Sequence, residues 1–131
     1  MSKYVYPAVL TPEEGGAYSV CFPDIEGCYT CGDDLADALL MAEDALALML
    51  YEYESKHQVI PKPTDEINLT VHDGDIVSLV ACDTLKYRKR YNKKAVKKTL
   101  TIPEWLNEAA SDAGINFSQA LQEALVDKLS M

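Results

Sequence analysis

The hydrophobic and polar positions divide the first third of the chain into three short strands. Apolar residues dominate "KYVYPAVLTP", and a second apolar run, "AYSVCFPDIEG", follows the turn sequence "EEGG". Two such runs separated by a short glycine-containing turn predict a β-hairpin. The segment "CYTCG" predicts a third strand, because tyrosine and threonine favour the extended backbone.

The following segment, "DDLADALLMAEDALALMLYEYESKH", predicts a long helix. We expect Asp34 to cap it, with Asp37 at the third helical position, where a carboxylate meets unpaired amides. A stripe of apolar residues at helical spacing must then pack on a sheet: Leu35, Leu39, Ala42, Leu46, Met49 and Tyr53. Acidic side chains are predicted to keep the opposite face in solvent: Asp44, Glu52 and Glu54.

A fourth strand is predicted after this helix. Two prolines in "QVIPKPTDE" end the helix, and "DIVSLVACD" is apolar enough to be a strand in the centre of a sheet. The first part of the chain is therefore predicted to fold as β-β-β-α-β, an α+β layer with one long helix on one face of the sheet.

From about residue 95 the pattern predicts a strand followed by two helices. In "VKKTLTIP" one face would carry Val96, Lys98, Leu100 and Ile102, and the other Lys97, Thr99 and Thr101. We expect Pro103 at the first position of a helix that Gly114 ends. Asn116 is predicted to cap a second helix, with Gln119 reaching back as its capping-box partner. The apolar face of this helix is Leu121, Ala124, Leu125 and Leu129.

A strand and two short helices bury too little apolar surface to fold alone. A second copy remedies this, since two strands pair as an antiparallel ribbon and four helices share one core, which is the ribbon-helix-helix plan for DNA binding. Lys97, Thr99 and Thr101 would then face base edges in the major groove, and Asn116 and Ser118 would contact phosphate. Lys98 falls on the inward face, where it either extends to solvent or joins the phosphate contacts.

Charge is divided unevenly along the chain. Residues 1–85 hold 16 acidic residues and three lysines, a net charge of −13, whereas residues 86–131 hold nine basic and five acidic residues, a net charge of +4. Residues 86–98 contain eight basic residues and no acidic one. Such asymmetry predicts two partners of opposite charge, with residues 86–94 as a basic linker.

The cysteine spacing and the length of the apolar runs argue against a metal-binding, membrane-spanning or secreted protein. "CYTC" is formally a C-x-x-C pair, but His57 and His72 form no second closely spaced ligand pair, so we expect neither a metal site nor a cofactor. Reduced cysteines packed as small hydrophobic residues are expected instead, and the roles of Cys28 and Cys31 stay open. No apolar run approaches the length of a membrane span or a signal peptide, so a cytoplasmic location is expected.

Two segments carry a family resemblance. "VKKTLTIPEWLNEAASDAGINFSQALQEAL" resembles the DNA-binding end of HicB-type antitoxins, and "YPAVL" followed by "YSVCFPDIEGCYTCGDDLADALLMAEDAL" resembles their amino domain. The resemblance implies a partial, degraded ribonuclease-H-like domain over residues 1–85, without catalysis, that covers a small RNA-cleaving toxin of HicA type. It also implies a dimeric ribbon-helix-helix domain over residues 95–131 that binds operator DNA and represses the operon.

Such a toxin binds RNA and is expected to be basic, so an acidic domain suits it. We expect Asp24, Glu26 and Tyr29 to contact the toxin. Whether homodimers pair into tetramers through the amino domain is open. One alternative is a metal-dependent ribonuclease-H-like nuclease that uses clustered carboxylates: Asp24, Glu26, Asp33, Asp34, Asp73, Asp75 and Asp83. Another alternative is a stand-alone dimeric repressor that senses a small ligand.

Overall fold

The computed structural model describes residues 2–65, 69 and 71–129. The chain divides into two compact units, Met1–Lys94 (unit 1) and Ala95–Met131 (unit 2). Unit 1 contains four strands, a short 3₁₀ turn at Glu14–Gly16 and two helices: β1 Lys3–Pro12, β2 Tyr18–Cys21, β3 Tyr29–Gly32, α1 Leu35–Ser55, β4 Ile76–Asp83 and α2 Thr84–Tyr91. Unit 2 contains α3 Glu104–Asp112 and α4 Phe117–Lys128. Among the described residues, no helix has both the length and the apolar character that crossing a bilayer requires.

The four strands form one antiparallel sheet in the order β3-β2-β1-β4. The predicted β-β-β-α-β order and the mixed α+β class are therefore confirmed. The predicted central position of β4 is wrong, because among the described strands β4 pairs with β1 alone and lies at an edge. Its apolar run suggested burial on both faces, yet only one face is covered, and Leu79 on the other face is 54% exposed.

Helix α1 packs on one face of the sheet and begins as the sequence predicts. Asp34 Oδ1 accepts from the amide of Asp37 at 2.8 Å, and Asp37 Oδ2 accepts from the amide of Asp33 at 2.9 Å. Most of the predicted stripe packs on the sheet, since Ala42 and Leu46 are buried and Leu39, Met49 and Tyr53 pack against the core. Leu35 is 41% exposed instead, and Ala38, Ala47 and Leu50 are buried in addition.

Close approach between α1 and β3 explains why Ala38 is buried. A Cβ atom at Gly32 would lie 2.2 Å from the backbone nitrogen of Ala38, so only glycine fits there. The small side chains of Ala38 and Ala42 let the first turns of α1 approach the strands, and larger residues further along fill the widening gap. Side chains from three strands and the β2–β3 loop complete the core: Tyr6, Ala8, Leu10, Val20, Phe22, Ile25, Cys28, Val80 and Cys82.

Residues 86–94 are predicted to be a linker, but residues 86–91 are helical in the structure. Asp83 caps helix α2 by accepting from the amide of Leu85 at 3.0 Å, and the helix continues to Tyr91. The ring of Tyr87 lies 5.6 Å from that of Tyr51 on α1, and Arg88 lies over Tyr51. Most of the predicted linker is thus a helix packed within unit 1.

Glu54 joins β1, α1 and α2. Its carboxylate accepts from the hydroxyl of Tyr4 at 2.7 Å, lies 3.0 Å from the hydroxyl of Thr84, and pairs with Arg88 at 2.7 Å. The side chain is only 12% exposed, which corrects its predicted place on the solvent face. Burial, together with the hydrogen bond to Glu54, raises the pKa of Tyr4 to about 12. The carboxylate is therefore the point at which α2 is attached.

Replacing Glu54 tests this attachment. Glu54→Gln should lower the free energy of unfolding by about 2 kcal/mol, because three partners lose a charged acceptor in a largely buried place. Glu52→Gln is the matched control, since it removes only an exposed pair with Lys56 and should cost about 0.5 kcal/mol or less. Urea denaturation of both variants measures the difference. Equal losses would mean that Glu54 does not hold the three elements together.

Two buried thiols predict an alkaline loss of stability. Burial raises the pKa of Cys82 to about 12 and that of Cys28 to about 11, from an ordinary 9.0. The unfolded chain therefore loses these protons at lower pH than the folded chain. Their contribution is complete below pH 9 and declines as the pH rises through 9 towards 11 and above.

Denaturation in the presence of a reductant between pH 8 and pH 10 measures this decline. Cys82→Ala should cost about 1 kcal/mol at pH 8 through lost packing but should flatten the decline. Cys31→Ala removes an exposed thiol and should leave the decline unchanged. A Cys82→Ala slope identical to that of the parent protein would contradict the assignment.

Candidate functional site

The residues predicted to contact DNA lie on the surface of unit 2. Lys97, Lys98, Thr99 and Thr101 are all exposed, within residues 92–103, which have no regular secondary structure. A strand needs a partner strand, and among the described residues of unit 2 no strand pairing occurs. The paired ribbon therefore stays a prediction, as does the orientation of Lys98.

The turn between α3 and α4 has the geometry that its sequence indicates. Gly114 has a φ of +71°, and its amide donates to Ser111 at 3.0 Å while the amide of Ile115 donates to Ala110 at 3.0 Å. These two bonds form a Schellman motif, which confirms Gly114 as the end of the helix. Helix α3 begins at Glu104, one residue after the predicted start at Pro103.

Asn116 caps α4, as predicted, and its Oδ1 atom accepts from the amide of Gln119 at 3.1 Å. The predicted reach of Gln119 back to the cap is wrong, because its side chain pairs forward with Glu123 at 3.2 Å. Ser118 is exposed in the first turn of α4. The amides of this turn precede the first intrahelical hydrogen bond, an arrangement that suits a phosphate oxygen.

Unit 2 leaves its apolar side chains in solvent. Within residues 95–129 no residue is buried, and Ala110 and Leu121 are the two that are half-buried. Large apolar side chains are exposed on every element: Val96, Leu100, Ile102, Trp105, Leu106, Ile115, Phe117, Leu125, Val126 and Leu129. An apolar surface of this extent on a small unit indicates a protein partner.

The residues predicted to contact a toxin lie at one end of the sheet in unit 1. Asp24 is half-buried and accepts from the amide of Thr64 at 2.9 Å, with a second bond from the Thr64 hydroxyl. Its carboxylate therefore has a structural role, since it holds the segment that follows α1. Glu26 is exposed, and Tyr29 is 71% exposed at the start of β3.

Tyr29 belongs to the sheet face opposite α1. The strand pairing places it beside Cys21, and Cys21 beside Val9, on that face. Val5 and Leu79 lie on the same face and are 47% and 54% exposed. This open face joins an aromatic side chain to aliphatic ones, a composition suited to a protein contact.

Several carboxylates of the nuclease alternative have structural partners. Asp34 and Asp83 cap α1 and α2, Asp24 holds Thr64, and Asp75 accepts from the amide of His72 at 3.2 Å. Over residues 2–65, 69 and 71–129, no group of three or more His, Cys, Asp or Glu side chains is placed to hold a metal ion. Cys28 and Cys82 pack in the core as small hydrophobic residues, whereas Cys31 is exposed.

Two features were missed by sequence reasoning. The basic residues of α2 were assigned to a linker, although the tyrosines at 87 and 91 and the capping residue Asp83 were signals for a packed helix. The role of Glu54 had no local signal, because its partners are 50, 34 and 30 residues away in the chain.

Comparison with known proteins assigns the family. A family model described as HicB-like antitoxin of bacterial toxin–antitoxin system matches residues 6–125. The chain is 45% identical over 58 residues to Antitoxin HicB 1 of Photorhabdus laumondii, which is 44% of this chain and 37% of that protein. The chain thus spans less than half the length of such curated relatives.

Two solved structures have a similar fold. One is a chain of a toxin–antitoxin complex from Streptococcus pneumoniae, with a TM-score of 0.64 and 28% identity over 96% of this chain and 99% of that one. The other is a chain of a HicA3 and HicB3 toxin–antitoxin complex, with a TM-score of 0.50 and 28% identity over 61% of this chain and 99% of that one. Since the family match extends over most of the 131 residues, the chain belongs to the HicB-like antitoxin family.

Proposed function

We propose that this chain neutralises a small RNA-cleaving toxin of HicA type through unit 1 and represses its own operon through unit 2, without catalytic activity of its own. The observation that carries the proposal is the likeness, along 96% of the chain, to a chain of a toxin–antitoxin complex. On this proposal unit 1 is a degraded ribonuclease-H-like domain, and two copies of unit 2 form a ribbon-helix-helix dimer.

The dimer is supported by the apolar surface of unit 2. Ten large apolar side chains are exposed there, and within residues 95–129 none is buried. Alternation along the strand would turn Leu100 and Ile102 into a shared core and leave Thr99 and Thr101 outside. A two-stranded ribbon fits the major groove, where threonine hydroxyls meet base edges.

Toxin binding by unit 1 is supported by charge and exposure. Unit 1 holds 16 acidic and nine basic residues, a net charge of −7, which attracts a basic partner and speeds encounter. Glu26 and Tyr29 are both exposed, close together in sequence, and Tyr29 lies on the open sheet face. An exposed tyrosine at the margin of an apolar surface is a common anchor of protein interfaces.

The ribbon is tested by replacing the residues of each predicted strand face with alanine in turn. Thr99→Ala with Thr101→Ala should lower the preference for the promoter duplex of the gene over a scrambled duplex by about 10- to 100-fold, because each lost base contact is worth about 1–3 kcal/mol. The dimer should persist in sedimentation experiments. Leu100→Ala with Ile102→Ala should instead dissociate the dimer. An unchanged gel-shift preference in the threonine variant would refute the ribbon assignment.

Toxin neutralisation is tested with the product of the adjacent toxin gene in an RNA-cleavage assay. Tyr29→Ala with Glu26→Lys should raise the concentration needed for half-neutralisation by about 10-fold or more, since an aromatic anchor and a favourable charge are lost. Glu14→Lys is the matched control, an exposed glutamate of unit 1 with the same charge change. If both variants neutralise as well as the parent chain, the toxin binds elsewhere.

A further inference from the structure

Helix α2 has two chemically different faces. Thr84, Tyr87, Arg88 and Tyr91 face α1 or pack beside it, through the bond to Glu54 and the ring contacts. At 100° per residue, Lys86, Lys89 and Arg90 fall on the opposite face, and all three are exposed. The helix therefore exposes a row of three cations on the side that does not contact Glu54 and Tyr51.

The three cations have no anionic partner among the described residues. The ion pairs found there are Arg88 with Glu54 and Lys56 with Glu52. Lys86 and Arg90 border a groove that also contains Glu43, Asp44 and Asp83, yet neither cation has a nitrogen within 4.0 Å of a described carboxylate oxygen. Arg90 lies over the ring of Tyr91, 5.3 Å from its centroid, which leaves its charge uncompensated. An acidic unit with three aligned cations outside any described ion pair presents them to an anion outside the chain.

The helix is held in place before any partner arrives. Arg88 pairs with the largely buried carboxylate of Glu54, and the Tyr87 ring lies 5.6 Å from Tyr51 and 4.6 Å from Tyr91. Asn92 donates to the Tyr51 hydroxyl at 3.3 Å. Because the helix backbone is already ordered, binding has to order only the exposed side chains, which favours affinity.

The net charge of each unit depends on the boundary between them, which lies after Lys94. Unit 2 contains three lysines and five acidic residues, a net charge of −2, whereas six of the nine basic residues after position 85 belong to unit 1. DNA affinity depends on the cations that replace counterions at phosphates. A unit that reads bases with a net charge of −2 needs further cations from elsewhere in the chain.

The chain connection limits where those cations can be. Five residues separate Tyr91 from Lys97. Six residue spacings span at most about 21 Å when fully extended, so a chain held on DNA through its ribbon keeps the end of α2 within that distance of its own strand. This length is about that of six base-pair steps of a duplex.

We propose that α2 is a second DNA-contacting element, whose Lys86, Lys89 and Arg90 bind phosphates of the duplex that the ribbon reads. This inference rests on the proposed DNA binding by unit 2 and adds a non-specific contact from unit 1. Arg88 is a positioning residue, because its charge is already neutralised by Glu54. The contact supplies affinity for any duplex, and base preference stays with the ribbon.

The test measures the affinity of the full chain for two 40-base-pair duplexes, the promoter region of its gene and a scrambled sequence, by fluorescence anisotropy over a series of salt concentrations. The first variant combines Lys86→Gln, Lys89→Gln and Arg90→Gln, which preserve helix propensity. Its matched control combines Lys3→Gln, Lys56→Gln and Lys62→Gln, an equal charge change at three other exposed sites of unit 1.

The α2 variant should reduce the slope of log affinity against log salt by about two or more, because each lost phosphate contact is worth about 0.9. Both duplexes should lose affinity by the same factor, about 10-fold or more at moderate salt, so the sequence preference is kept. The control variant should change the slope by less than one.

A slope in the α2 variant equal to that of the parent chain, or equal losses in the variant and its control, would overturn the inference and leave the ribbon proposal intact. A parent chain that shows no preference for the promoter duplex would refute operator binding instead. The scrambled duplex then still decides whether α2 binds phosphates. Tighter binding of the parent chain to an RNA duplex of the same length than to either DNA would also overturn the assignment to DNA.

Discussion

Burial of one face of α1 against the sheet is the interaction on which unit 1 depends. Leu46 and Leu50 are fully buried, and each contributes about 2 kcal/mol through removal of apolar surface from water. The fit begins at Gly32, where the absence of a side chain lets the helix backbone approach the strand. Once α1 is fixed, Tyr51 and the largely buried Glu54 near its carboxyl end are attachment points for α2. The position of the basic helix is thus a consequence of the core.

Unit 1 buries many of its apolar side chains, whereas the described part of unit 2 leaves them exposed. Unit 1 covers one face of its sheet and holds the segment after α1 through Asp24 and Tyr6. Unit 2 forms well-capped helices, with a Schellman turn at one end and Asn116 at the start of α4, but leaves their apolar sides in solvent. Local backbone signals are therefore satisfied in both units, whereas a core is completed in one of them.

This contrast explains what the sequence could predict. The four strands of unit 1, the bounds of α1, and the caps at Asp34, Gly114 and Asn116 follow from neighbouring residues, and the structure has them. The strand predicted in "VKKTLTIP" lies in a stretch without regular secondary structure. Periodicity predicts most of the packed stripe of α1 but not the burial of Ala38, because the close contact at Gly32 selects a small residue there. Contacts across the sheet have no local signal, so Glu54 and Asp24 were treated as surface charges.

The same limit applies to the site residues. Exposure of Glu26, Tyr29, Thr99 and Thr101 agrees with a contact role, but exposure alone does not identify the partner. Charge counted along the chain assigned the basic residues to the carboxyl end. The fold places four of these nine basic residues in α2 and six in unit 1, because a helix forms where the sequence predicts a linker.

The unburied core of unit 2 has a consequence for the lifetime of the protein. A segment without buried residues gives its backbone little protection from proteases. The rate of proteolysis depends on the fraction of molecules in which the backbone is accessible. With the proposed dimer, that fraction grows as the chain becomes scarce, because association depends on concentration. The rate constant for proteolysis would then rise as the concentration of the chain falls. After a brief pause in synthesis, the chain would disappear faster than by simple first-order decay. The incomplete core of unit 2 would thus make the degradation rate of the chain depend on its own concentration.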